Sequence, residues 1–486
     1  MSKFVAASEF APASTADLQL LPLRFEKLEK DKYCVANIVG DLIVVTAEDL
    51  RRLTSLDLMP GDGLYEKAFS KLLIAQKGQR AQLQLLALRL RSRMAFLRKP
   101  TALHIFVVTL RCEHSCPYCQ VSRRSADKDF YDMSEETAAR ALEVALSSPP
   151  QAIKIEFQGG EPLLNFGLIK KIVALARERA QIKSKHVEFV ITSNLALLDE
   201  EILSFCAENS ILISTSLDGP QDLHNRNRPR PGGNSYQLAV DGIRRAQERL
   251  GRDRVGALMT TTEASLNRIE EIIDQYVELD LRGIFLRPLS PYGFAIKTKQ
   301  YAKYDTDRWL GFYKKGLRYI LEINKKGIFF PEYYASLLLQ RMLSDRPIGY
   351  VDLRSPAGIG LGALVYNYDG KVFASDEGRM LAEMGDRTFE LGDLRSDDYH
   401  SLVFSDKLIK LVGDSLTQCA PQCTSCAFES HCGSDPVYHH ATQGDAVGIK
   451  PLSGFCGRQK GIMRLLIDLL EESPDDAAIL RRWAAP

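Results

Sequence analysis

The chain of 486 residues has no run of about 18 apolar residues, so no membrane-spanning helix is expected. It also lacks an excess of charge. Its 63 basic and 62 acidic residues leave a formal net charge of +1, which removes the basic footprint of a nucleic-acid binder, and no nucleic-acid partner is expected. The stretch Met-Ser-Lys-Phe-Val-Ala-Ala-Ser-Glu lacks the apolar core of a secretion signal, and a cytoplasmic location is the expectation. No internal repeat and no long low-complexity tract is present. What remains is an ordinary globular composition, 45% hydrophobic and 26% charged, at a length that accommodates two or three domains.

Cysteine is the exception. There are ten, eight or nine of them in two clusters, and in a reducing compartment such clusters point to metal rather than to disulfides. The first cluster, Arg-Cys-Glu-His-Ser-Cys-Pro-Tyr-Cys-Gln, places Cys112, Cys116 and Cys119 at C-x3-C-x2-C spacing, with Tyr118 just before the last cysteine. Three thiolates so spaced hold three irons of a [4Fe–4S] cube and leave the fourth open. An open position is what separates a catalytic metal site from a structural one. Read on its own, the triplet also admits zinc with His114 as a fourth ligand. A disulfide is disfavoured, because three close thiols cannot all pair.

Around the cysteines the chain divides by pattern. Segments 32–37 and 41–46 read as strands about a Val39-Gly40 turn, with a helix from Ala47 capped by Thr46. A helical Gln- and Leu-rich stretch is expected over 63–98, so residues 1–98 form an N-terminal α+β module. Over 99–300, apolar runs at 103–109, 153–158, 186–192, 211–217, 255–260 and 283–287 alternate with helix patterns at 134–148, 166–180, 199–208, 235–249 and 265–278. Such alternation indicates parallel βα units. It predicts an α/β fold, a partial (β/α)6 barrel with its chemistry at the C-terminal ends of the strands, where the triplet falls. A helical bridge over 301–353 follows. The last region, 354–486, has a hairpin signal at Asn367-Tyr368-Asp369-Gly370, the second cysteine cluster and a helical tail.

The triplet resembles that of the radical S-adenosyl-L-methionine (SAM) superfamily. In that superfamily the open iron chelates the amino and carboxylate groups of SAM, and electron transfer splits SAM into methionine and a 5′-deoxyadenosyl radical. After the second strand, Gln158-Gly159-Gly160-Glu161-Pro162 matches the family's Gly-Gly-Glu-Pro motif. Its glycines let the backbone approach the ligand, and the resemblance implies that Glu161 and nearby carbonyls receive the SAM ammonium. Thr192-Ser193-Asn194-Leu195 resembles the Thr-Asn-Gly segment near the SAM ribose, with Leu195 in place of the glycine. Ser216-Leu217-Asp218-Gly219-Pro220, then His224-Asn225 and Arg228, resembles a block of the peptide-modifying members. It implies that Ser216 and Arg228 hold the SAM carboxylate, with Asp218 a site residue or a turn residue. Arg287 is a further candidate or a surface arginine.

Cys419-x3-Cys423-x2-Cys426-x5-Cys432, followed by Cys456, resembles the SPASM auxiliary-cluster domain. The resemblance implies a second [4Fe–4S] cluster on Cys423, Cys426, Cys432 and Cys456, with zinc in the same four thiolates as the alternative. It also implies that a further auxiliary cluster is absent, since Ala357, Gly358, Ser375 and Pro436 stand where its ligands belong. Cys419 is a spare thiol or a ligand swap. Asp376 stands where related enzymes carry a base for the substrate, or is a solvated loop carboxylate.

A narrower likeness, in Leu21-Pro22-Leu23-Arg24-Phe25, Asn37 and Gly40, is to the His-Xaa-Ser system maturases of the HxsB type. It implies a ribosomally made His-Xaa-Ser repeat peptide as substrate and a second radical SAM protein as partner. A flavodoxin or ferredoxin is the implied electron donor. The competing readings are a sulfatase-type formylglycine maturase and a non-catalytic peptide-binding scaffold. Residues 1–98 are either a leader-peptide module that binds by strand addition or a plain packing domain.

Overall fold

The protein is represented by a computed structural model that describes residues 18–124, 127–344 and 348–485. At the N-terminus, β1 (Leu18–Leu20), β2 (Leu23–Lys27), β3 (Lys32–Asn37) and β4 (Leu42–Thr46) lead into a helix, Ala47–Ser55. Strands β2, β3 and β4 form an antiparallel meander. Thr46 caps the helix as expected, its hydroxyl accepting the Asp49 N–H at 3.1 Å. The helical stretch expected over 63–98 is interrupted. Helices Gly63–Ser70 and Ala81–Arg93 flank β5 (Ile74–Gln76), which pairs antiparallel with β1. Ile74, Ala75 and Gln76 are all buried, and periodicity cannot distinguish a short, fully buried strand from a turn of buried helix.

The barrel strands are β6 (Leu103–Thr109), β7 (Ala152–Gly159), β8 (His186–Thr192), β9 (Leu212–Ser216), β10 (Val255–Thr260) and β11 (Leu286–Arg287), all parallel. The expected helices lie between them, which confirms the α/β partial barrel. Both faces of the central strands are covered, so Phe106, Val107 and Val108 are all fully buried and the run is continuously apolar. The sixth strand is shorter than expected. The Ile284 N–H turns instead to the Pro331 carbonyl at 3.1 Å, and Gly283 lies so close that a Cβ would sit 2.6 Å from that oxygen.

The sheet runs on past the barrel. β12 (Ala363–Tyr366) lies parallel beside β6, followed by antiparallel β13 (Lys371–Phe373) and β14 (Glu390–Asp393), giving nine strands in the order β11-β10-β9-β8-β7-β6-β12-β13-β14. The Asn367–Gly370 hairpin thus extends the barrel sheet, and the C-terminal region faces the open end of the barrel. Helices Thr306–Lys325, Tyr333–Leu343, Gly454–Glu472 and Pro474–Ala484 contribute to the same apolar core through Trp309, Leu338, Leu466 and Trp483. Among the described residues no helix is long and apolar enough to cross a membrane.

Candidate functional site

At the C-terminal ends of the barrel strands is a cavity of about 420 Å³. Cys112, Cys116, Cys119 and Tyr118 line it from the loop after β6. Gln158, Gly159 and Gly160 reach it from β7, Ser193 and Asn194 from the end of β8, Ser216 from β9, and Arg228 from the following loop. Glu161, Pro162 and Asp218 stand behind the wall. Burial pushes the Cys116 thiol up to about 12 and raises Cys112 as well, so the fold alone does not favour thiolates there. Three sulfurs facing one cavity fit a cluster that brings its own positive charge and leaves one iron open. The ligand atoms of Cys112, Glu113 and His114 also lie within 4.8 Å of one another. However, Glu113 and His114 are already engaged, for Asn194 Nδ2 lies 2.7 Å from Glu113 Oε1 and 2.9 Å from His114 Nδ1.

The glycine pair is demanded by backbone. A Cβ on Gly159 would lie 2.1 Å from the Thr109 carbonyl oxygen, and one on Gly160 would lie 2.2 Å from that of Arg111. The close approach expected of these glycines toward a ligand is, in the fold, an approach to the segment that leads into the cysteine loop. The Gly160 and Glu161 N–H groups donate to Thr109 and Arg111 carbonyls at 2.8 and 2.7 Å. Glu161 is fully buried, and its carboxylate accepts from Leu163 N–H at 3.1 Å, Ser193 Oγ at 2.8 Å and Asn194 N–H at 2.8 Å. Burial and nearby Glu113 raise it to about 8. It ties the end of β7 to the end of β8, while Gln158, Gly159 and Gly160 face the cavity. Leu195, which replaces the family glycine, takes φ +65°, the left-handed conformation that favours glycine. Its side chain fits because residue 242 is glycine, where a Cβ would lie 2.7 Å from Leu195 Cβ.

Asp218 is a fully buried hub. It accepts from Tyr118 Oη at 2.5 Å, from Arg228 Nε and Nη2 at 3.0 and 3.2 Å, and from Thr260 N–H at 3.2 Å. Burial opposes its charge, but the Arg228 guanidinium beside it holds it below the usual carboxylate range. The cysteine loop, β9 and β10 are thereby joined through one carboxylate, and the turn-residue reading of Asp218 gives way to this joining role.

The far wall carries groups that motif reading missed. Ala357, Gly358, Ser375 and Pro436, the cysteine-free positions, all line the same cavity, as do Asp376 and Arg287. Asp352, Glu377 and Asp435 line it too. Burial, with Asp352, Asp376 and Asp435 nearby, pushes Glu377 up to about 8, and burial raises Asp435 to about 6. Asp376 is no free loop carboxylate, since buried Arg379 donates to it through Nε at 2.8 Å. The one sequence signal for Glu377 was its place beside Asp376. Asp352 sits in a single 3-10 turn, Val351–Leu353, and Asp435 caps the helix Pro436–Gln443, neither with a periodic signature.

Cys423, Cys426, Cys432 and Cys456 gather elsewhere, close enough for the other three to act electrostatically on Cys432. Burial raises all four, Cys423 to about 11, while Lys450, Lys460 and Arg341 oppose that shift. Four sulfurs ringed by cations fit an anionic four-thiolate centre. Cys419 is exposed. The N-terminal module covers this site. Arg24 of β2 pairs with Glu429 at 2.6 Å, Glu26 pairs with Lys460 at 3.1 Å and with Arg464, and buried Cys34 of β3 lies near Cys426.

Residues 106–276, within the barrel, match the family described as the radical SAM superfamily. The chain is 30% identical over 188 residues to an uncharacterized protein of Methanocaldococcus jannaschii, covering 38% of this chain and 62% of that one. It is 26% identical over 219 residues to a cysteine-type anaerobic sulfatase-maturating enzyme of Clostridium perfringens, covering 42% and 58%. The chain thus spans about three fifths of the length of these curated relatives. Its fold resembles anSMEcpe with bound AdoMet, with a TM-score of 0.65 and 19% identity over 79% of this chain and 98% of that one. It also resembles Streptococcus suis SuiB bound to precursor peptide SuiA, with a TM-score of 0.50 and 14% identity over 86% and 95%.

Proposed function

We propose that this chain is a radical SAM maturase that modifies a peptide or protein substrate. The observation that carries the reading is the convergence of three thiols, the motif loops after β7, β8 and β9, and a carboxylate-lined far wall on one cavity. When bound, a [4Fe–4S] cube with SAM supplies the one-electron chemistry that yields a carbon radical for hydrogen abstraction. Cys112, Cys116 and Cys119 hold that cube. The exposed backbone of Gly159 and Gly160, with Ser193, Asn194, Ser216 and Arg228, forms the SAM-facing wall, and Arg228 keeps its aim through Asp218 and Tyr118. The far wall with Asp376 receives the peptide, so SAM and substrate meet in one enclosure that limits water. Cys423, Cys426, Cys432 and Cys456 hold a second cluster, and a flavodoxin or ferredoxin supplies electrons in the cytoplasm. Anaerobic reconstitution followed by reduction with SAM tests the reading: 5′-deoxyadenosine is expected, and its absence in iron-replete protein refutes the assignment.

Two finer readings are each supported by a specific observation. The Leu21–Phe25 stretch and the cysteine-free positions 357, 358, 375 and 436 support a His-Xaa-Ser peptide maturase that works beside a second radical SAM protein. The likeness to sulfatase-maturating enzymes supports formylglycine formation. Mass spectrometry after co-expression with each substrate type decides between them, because only one carries a new modification.

A further inference from the structure

Behind the far wall the 420 Å³ cavity shares lining residues with a recess of about 110 Å³. Asp352, Glu377 and Asp435 line both spaces, so one set of carboxylates faces the barrel on one side and the recess on the other. Most of its other walls are aromatic or apolar, with Tyr292, Tyr350 and Tyr438 among them, and Arg287 and Arg458 line it as well. Its size suits the head of one side chain rather than a whole residue.

Of the charged residues that line the recess, three, Asp352, Glu377 and Asp435, are acidic and two, Arg287 and Arg458, are basic. Arg287 and Arg354 act on Asp352, Arg458 and Lys450 act on Asp435, and Arg379 pairs with Asp376. Glu377 differs, because the strongest charges that act on it are carboxylates, those of Asp352, Asp376 and Asp435. A second observation is independent of the acids. The Tyr292 hydroxyl, on a residue 1% exposed, lines the same recess and has no hydrogen-bond partner. Its oxygen lies within electrostatic reach of Glu377 and Asp435. With Arg287 acting on Asp352 and Arg458 on Asp435, the third carboxylate of the recess, an unused hydroxyl and aromatic faces together make a receptor for an organic cation. A divalent metal ion, which seeks oxygen ligands and water, has little use for the rings.

We propose that the substrate of this maturase places a cationic side chain, a lysine ammonium or an arginine guanidinium, in this recess against Glu377 and the Tyr292 hydroxyl. The inference rests on the peptide-maturase reading and specifies the substrate class. The cation anchors the peptide beyond the reacting carbon, so that a neighbouring position of the peptide is held in the barrel cavity before the cysteine loop.

The test uses the reconstituted full chain with SAM and three probes: N-acetyl-lysine N′-methylamide, N-acetyl-arginine N′-methylamide and N-acetyl-norleucine N′-methylamide. Binding is read by ligand-observed NMR. The two cationic probes are expected to bind at least about tenfold more tightly than norleucine, the scale of a desolvated charge contact. Glu377→Gln is expected to abolish that preference, and Tyr292→Phe to reduce it by a few-fold. Equal binding of the lysine and norleucine probes to the wild-type chain overturns the proposal without any variant, as does a preference that survives Glu377→Gln in folded, iron-replete protein. Displacement of the lysine probe by Mg²⁺ but not by the arginine probe also overturns it in favour of a metal site. Failure of the wild type to form 5′-deoxyadenosine counts against the maturase reading instead, so the two failures are told apart.

Discussion

The barrel cysteines and the C-terminal cysteines share one property and differ in another. Burial raises Cys112 and Cys116 in the first group and all four thiols of the second. The barrel triplet, however, offers three sulfurs to an open cavity of about 420 Å³, with Arg228 as the nearby cation already committed to Asp218. The C-terminal group offers four sulfurs, ringed by Lys450, Lys460 and Arg341 and covered by the N-terminal module through Arg24–Glu429 and Glu26–Lys460. Ligand number and enclosure change together. A centre that must accept a substrate keeps a position free and a cavity beside it, whereas a centre with a complete ligand set is closed and charge-balanced.

The sharpest way to break this comparison is to remove the three barrel sulfurs. Cys112, Cys116 and Cys119 all replaced by Ala should abolish 5′-deoxyadenosine formation and lower the iron content from about eight to about four per chain, on a count of two cubes. Persistent SAM cleavage, or loss of all iron, would show that the two centres are not distinct. On the substrate side of the open cavity, Asp376→Asn should lower peptide modification by about 10²–10⁴-fold, as for loss of a general base, measured as product per 5′-deoxyadenosine. An unchanged ratio leaves Asp376 as the partner of Arg379 alone. Asp218→Asn leaves the Arg228 guanidinium without its counter-charge in a buried setting. It should cost about 3–5 kcal/mol, read as a fall in the chemical denaturation midpoint, and a shift below about 1 kcal/mol would remove Asp218 as the hub of the open site. The smallest effect belongs to the closed site. Glu26→Gln cuts the partly exposed pairs to Lys460 and Arg464 and should cost about 0.5–1 kcal/mol. Iron from the C-terminal site should then be lost faster to a chelator, while equal loss rates would mean that the N-terminal module covers the cysteines without guarding them.

The parts of this comparison that were legible in the sequence are those that adjacent residues encode. Cys112, Cys116 and Cys119 announce three sulfurs by spacing, and the β6–β10 runs announce parallel strands by composition and alternation. The C-x2-C-x5-C pattern suggested the second group, although Cys456 lies 24 residues beyond Cys432. β5 was missed because three buried residues carry no usable period. Gly159 and Gly160 were noticed for the right reason, close approach, but the neighbour turned out to be the Thr109–Arg111 backbone. Leu195 looked like a weakened motif, yet it holds the glycine-like backbone conformation with room supplied by Gly242, 47 residues away.

By itself the sequence determined which residues have the chemistry to bind metal and where five of the six parallel strands lie, because these depend on residue type and short-range order. Tertiary structure alone decided that Asp218 joins Tyr118 to Arg228, that Glu161 joins two strand ends, that residues 24 and 26 meet residues 429 and 460, and that Asp352, Glu377 and Asp435 share one wall. A carboxylate becomes a hub, a strut or a receptor according to what burial takes from it and which distant groups the fold brings to it. Those neighbours are set by how the nine-stranded sheet and its covering helices close around them.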